Sequence, residues 1–151
     1  GTKRSLLEAV AYITAQAFIE GVARNVEGES VRDILLRYAT EFQERSLSPE
    51  GIQFHRLLIA DVSKFPDLSA TLYERGIYQV VAALARELAV EMAAGKLRKV
   101  DPMATAERFI GALTGMVRYR AFSGMGHMDT PAGRRGYIKD TIDLFVQGLT
   151  P

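Results

Sequence analysis

The sequence predicts an all-α fold, a bundle of about six helices, and three observations carry that expectation. Apolar residues recur with helical spacing, as in Val31, Ile34, Leu35, Tyr38 and Phe42, and again in His55, Leu58, Ile59 and Val62. Strand-like alternation occurs in no segment. Ser48-Pro49, Asp101-Pro102 and Thr130-Pro131 each join an oxygen-bearing cap to a proline at the first helical position, where its missing N–H costs nothing.

In chain order, the first helix is expected over 3–26, ahead of the next start signal. Ser30 with Asp33 three residues on resembles a capping box and opens a helix over 30–46. Ser48-Pro49 opens the next, over 49–64, and Pro66 opens a long one over 66–95, with Gly76 as a possible kink. Gly95, followed by Lys96, suits a left-handed residue closing that helix. Asp101-Pro102 starts a helix over 102–122, the stretch SGMGHM at 123–128 reads as a loop, and Thr130-Pro131 starts the last helix, 131–149.

Composition bounds the function. The chain has 151 residues, 48% hydrophobic and 25% charged, the balance of one globular domain. Its 19 Lys and Arg against 18 Asp and Glu leave a net charge of +1, so there is no chain-wide attraction to nucleic acid or an anionic membrane. With no cysteine and two histidines, a disulfide scaffold, thiol catalysis and a structural zinc site drop out. The longest charge-free stretch, Ala9 to Ile19, is too short to span a bilayer, and Glu8 and Glu20 bracket it without a signal-peptide pattern. No membrane partner is expected, and the expected location is cytoplasmic.

Two segments are apolar on more than one side. Helix 102–122 carries Ala106, Ile110, Leu113 and Val117 on one flank and Phe109, Ala112, Met116 and Tyr119 on another. Helix 131–149 offers Tyr137, Ile138, Ile142, Phe145, Val146 and Leu149. In so small a domain, the simplest cover for a second apolar face is an identical subunit across a twofold axis. A homodimer is therefore expected through Gly111, Gly115, Ile138, Ile142 and Phe145, the glycines permitting close backbone approach.

Catalytic constellations fail on their requirements. Neither His55 nor His127 follows a glutamate by three residues, as a di-iron bundle needs, and neither G-x-S-x-G nor G-x-x-x-x-G-K-[ST] occurs. Gly124-Met-Gly126 lacks the third glycine and the preceding strand of a nucleotide loop, and Asp140 and Asp143 read as a solvated face. No enzyme activity, metal or cofactor is expected. His127, beside Met125 and Met128, reads as solvent-facing. His55, one turn before Leu58 and Ile59, needs a hydrogen-bond partner, which can be a backbone carbonyl, water or a bound molecule. Aromatic residues and polar groups within the apolar stripes (Thr14, Tyr38, His55, Tyr78) suit either a dry core or an enclosed pocket.

At this point a family resemblance enters. GTKRSLLEAV at 1–10 resembles the stretch after the recognition helix of TetR-type transcriptional regulators, F-x-[ST]-K-x-x-L-x-x-A-V. FHRLLIADVSKFPDL at 54–68, YERG at 73–76, AGKLRKVDP at 94–102 and DLFVQGLTP at 143–151 are similar to the C-terminal domain of one large TetR subgroup. The resemblance implies that residues 1–151 form an all-helical ligand-binding and dimerisation domain of a regulator, a repressor, that dimerises through its last two helices. It also implies that the helix-turn-helix is absent from the chain, so that DNA is reached only through that missing N-terminal domain. In the full-length regulator, Thr2 and Lys3 at a helix N-terminus would then meet a DNA phosphate. A small, mostly hydrophobic effector is expected among Phe18, His55, Leu58, Tyr78, Val81, Phe109 and Met116, which lie on inward stripes. The alternative is a dimeric helical adaptor that binds a protein partner and has no small-molecule pocket.

Overall fold

Five side-chain caps set the framework of the protein, seen in a computed structural model that describes residues 1–23, 28–125 and 130–151. Thr2, Ser30, Ser48, Asp101 and Thr130 each accept the N–H of the residue three positions on, starting α1 (Lys3–Val22), α2 (Val31–Ser46), α3 (Pro49–Val62), α6 (Pro102–Phe122) and α7 (Pro131–Leu149). At Ser30 the box is reciprocal: Asp33 Oδ2 accepts the Ser30 N–H at 3.1 Å. Between α3 and α6 stand α4 (Pro66–Arg75) and α5 (Ile77–Ala93). Among the described residues there is no strand.

Helix ends shift from the sequence expectation by up to two residues at α2, α3 and α5, and two differences are larger. The single helix expected over 66–95 is two helices, because Gly76 (φ −106°, ψ −104°) leaves helical geometry while its N–H still closes α4 on Leu72 O. A Cβ on Gly76 would stand 2.7 Å from that same oxygen, so the corner needs glycine for room. The first helix, expected to run to 26, ends at Val22, and residues 24–27 are outside the described set. Gly95, at φ +74°, does close α5: Lys96 N–H donates to Glu91 O and Gly95 N–H to Met92 O, the paired bonds of a Schellman ending. The expected loop opens after Phe122, whereas His127 and Met128 lie outside the described residues.

The main core joins α1, α2, α5, α6 and α7 around Phe18, Leu35, Tyr38, Leu84, Phe109 and Ile142. α5 lies along α6, and α2 along α7. Buried Gln43 donates through Nε2 to Leu113 O (2.9 Å), tying α2 to α6. Arg37 reaches Glu29 and Glu87, and the Tyr38 hydroxyl donates to Glu87 at 2.7 Å, so a partly buried polar clasp holds α2 to α5. A second, smaller cluster of Leu7, Ala11, Leu68 and Leu72 joins α1 to α4. α3 packs differently: among its described side chains no apolar one is fully buried, and Phe54 and Leu58 only lean on the smaller cluster.

The outer face of α6 and α7 corrects the expected seam. Ile138 and Ile142 belong to the subunit's own core, Ile142 being 2% exposed, and Phe145 packs edge-on against Phe109 at 5.1 Å. Among the residues that α6 and α7 leave outside are Gly111, Gly115, Met116, Tyr119 and Leu144. A Cβ added at Gly111 or Gly115 would meet nothing within 4 Å. Tyr137 bridges the two helices, its hydroxyl donating to Ala112 O. Among the described residues no helix is long and apolar enough to cross a membrane.

Candidate ligand cavity

Because α3 stands off the core, a cavity of about 570 Å³ opens between it and α1, α2, α4, α5 and α6. That size falls within the range of small-molecule sites, roughly 300–1,000 Å³. Its apolar wall comes from Ala15 and Phe18 of α1, Phe42 of α2, Phe54 and Leu58 of α3, and Ile77 and Val80 of α5. Exposed Thr14, Glu50, Ser69 and Tyr73 also line it, so one side is open to water.

The α2–α3 corner fixes the polar end. Ser48 Oγ accepts the Gly51 N–H (3.0 Å) and donates to Arg45 O (2.9 Å), which clamps the last turn of α2 to the first turn of α3. One turn further, His55 Nδ1 lies 2.8 Å from Gly51 O. A carbonyl can only accept, so Nδ1 carries the hydrogen and Nε2 is left as an acceptor. Burial pushes the His55 pKa below its ordinary value, and the charge of Arg118 pushes the same way, so the ring is neutral near pH 7. His55 also lies between rings, with centroids of Phe54 at 6.0 Å and Phe122 at 6.2 Å.

Arg118 enters the cavity from α6. Burial disfavours its charge, yet an arginine remains protonated at neutral pH. Arg45, the other cationic lining residue, is paired with Glu41 and donates to Ala17 O.

Of the residues expected from sequence, the structure brings Phe18, His55 and Leu58 together on the cavity. Tyr78, Val81, Phe109 and Met116 stand elsewhere. On α5 the cavity takes Ile77 and Val80, one turn apart, which rotates Val81 into the core and Tyr78 to the surface against Tyr73. Phe109 is wholly buried beside Phe145, and Met116 is on the outer face. Thr14, one of the polar groups expected in a dry core or a pocket, lines the cavity, as do Phe54, Ser46 and Arg118, which were not among the expected lining.

Thr2 and Lys3, expected at a DNA phosphate, are engaged within the chain. The Thr2 hydroxyl caps Ser5, and Lys3 Nζ lies 2.5 Å from Oδ2 of Asp61, a buried carboxylate at the end of α3 that Lys64 also approaches. The Lys3 ammonium holds the Asp61 pKa below the usual carboxylate range. A depressed pKa contributes stability above the unfolded carboxylate value, and that stability is lost as acid protonates the group. Thermal melts should therefore show the wild-type chain losing more stability than Asp61→Asn between pH 6 and pH 3, near the unfolded carboxylate pKa of about 4. Parallel curves would detach Asp61 from the acid response.

The chain matches the C-terminal domain of AefR-like transcriptional repressors over residues 33–148. Among solved structures it is similar to a protein of Mesorhizobium loti assigned to the TetR-family transcriptional regulators, at 17% identity and a TM-score of 0.87, covering 98% of this chain and 73% of that one. It is also similar to the flavonoid-responsive regulator FrrA, at 19% identity and a TM-score of 0.83, over 99% of this chain and 76% of that one. At these identities the likeness concerns the fold. No curated protein sequence matches the chain.

Proposed function

The chain belongs to the TetR family of transcriptional regulators, by its match to the C-terminal domain of AefR-like repressors, and from that membership we propose that residues 1–151 form an effector-sensing, dimerising domain. In this reading the effector is a small, mostly apolar molecule and the output is repression. DNA would be met through an N-terminal domain of the regulator. The observation that carries the proposal is the aromatic-lined cavity beside His55. A helical adaptor has no use for such a space, and FrrA, of the same fold, is a flavonoid-responsive regulator.

Signalling requires the effector to favour one arrangement of the helices over another, since equal affinity for both shifts nothing. α1 is placed to report such a change. It lines the cavity through Ala15 and Phe18, and its first turn is tied to the end of α3 by Lys3 and Asp61.

The fluorescent probe N-phenyl-1-naphthylamine tests the cavity directly. The wild-type chain is expected to bind it with enhanced emission, and Leu58→Trp, which adds a large ring within the lining, should suppress binding while helical circular dichroism is unchanged. Undiminished uptake by a folded Leu58→Trp chain would move the site elsewhere.

A second prediction concerns His55. Its free Nε2 can accept from a hydroxyl on an apolar body, for which 2-naphthol serves as the probe. His55→Phe should weaken displacement of the dye by 2-naphthol by about 1–3 kcal/mol, the cost of an unmade buried hydrogen bond, and leave plain naphthalene unaffected. Equal losses for both competitors would return His55 to a packing role.

A further inference from the structure

The charge inventory of the cavity does not balance. Among the described residues Arg118 makes no ion pair and no hydrogen bond, and its Nε is buried without a partner. Among the described residues of the lining the one carboxylate is Glu50, which is exposed in the first turn of α3 and forms no ion pair with Arg118. Arg45 is already satisfied by Glu41. A half-buried guanidinium whose Nε is shut from water without a partner, and which has no counter-charge beside it, is costly for the empty domain, because buried charges are ordinarily paired.

We propose that the cavity takes an organic anion, a molecule with a planar carboxylate seated on Arg118 and an apolar body against Phe18, Phe42 and Leu58. The guanidinium fork matches a carboxylate in a bidentate arrangement, which a neutral ligand cannot reproduce. Neutral His55, close enough for the Arg118 charge to depress its pKa, offers Nε2 to a hydroxyl on the same molecule. The ligand class is thus an aromatic or aliphatic acid, with a hydroxyl as an added feature. This inference rests on the reading of the cavity as an effector site and adds the charge of the effector to it.

Competition against N-phenyl-1-naphthylamine separates the two ideas. Naphthalene-2-acetic acid and its amide differ in charge and little in shape. The wild-type chain is expected to prefer the acid by at least about tenfold, the effect of roughly 1.4 kcal/mol in an equilibrium constant. Arg118→Gln should abolish that preference while retaining the dye, and Arg118→Lys should keep part of it. Equal affinity for acid and amide in the wild-type chain would overturn the anion and leave the cavity reading standing, whether or not either variant folds. A preference for acid that persists in folded Arg118→Gln would overturn Arg118 as its anchor. Failure of the wild-type chain to take up the dye, the acid or the amide would overturn the effector site itself.

Discussion

Replacing Leu144 and Met116 together by glutamate is expected to leave the chain folded and monomeric, where the wild-type chain is expected to sediment as a dimer. Both side chains stand on the outer face of α6 and α7, 72% and 64% exposed, so neither change disturbs the core. If that face meets its symmetry mate, each dimer would bury four new carboxylates. The desolvation cost is several kcal/mol, and about 4 kcal/mol already weakens association roughly a thousandfold. Sedimentation equilibrium across a concentration series measures this, and a variant that remains a dimer would remove the α6–α7 face from the interface.

Gly111→Ala and Gly115→Ala add a finer reading of the same face. Within one subunit a Cβ at either position meets nothing, so helix propensity alone would stabilise the chain by about 1 kcal/mol per change. At a close helix seam the sign reverses. Ile142→Glu is not a clean probe, since Ile142 is buried in its own subunit and its loss would unfold the monomer.

Gly51→Ala is expected to cost about 2–3 kcal/mol, near the upper range for overpacking, and to lower the melting temperature by roughly 4–12 °C for a domain of this size. The added Cβ would lie 2.2 Å from the backbone oxygen of Arg45, a contact that no rotamer change can relieve. The last turn of α2 and the first of α3 must then part, which breaks the Ser48 clamp and moves the carbonyl that orients His55. Weaker dye binding should accompany the lost stability. Wild-type melting would mean that the corner opens without cost.

Element starts were legible because they are local: a cap side chain and a proline state the position of a helix without reference to the rest of the chain. Gly76 was harder, since its break depends on backbone angles and on the space beside Leu72 O, with no cap side chain to announce it. Cavity residues were legible only where helix phase was. α5 buries Val80, Val81, Ala83, Leu84, Ala85 and Leu88, and a helix apolar over so much of its circumference does not say which residue turns toward α3. Likewise Ile138 and Ile142 were correctly apolar, but which apolar stripe of α7 faces inward is settled by α2 and α6. Arg118 was hidden in the run RYR at 118–120, which reads as cations completing the C-terminus of a helix; its signal was the one-turn spacing from buried Thr114.

The loose seating of α3 has a kinetic meaning. A helix with no fully buried apolar anchor among its described side chains detaches at a smaller free-energy cost than the core helices beneath it, so its amide protons should exchange with solvent well before those of α5. Such opening gives a molecule a way in without melting the domain. An occupant that binds only the seated form would then slow exchange in α3 by the factor 1 + [L]/Kd, and that of the slowest amides, which exchange through global unfolding, by the same factor. On this account the outer wall is a door whose latch is the guest, and the residence time of the guest is set by how often the door opens.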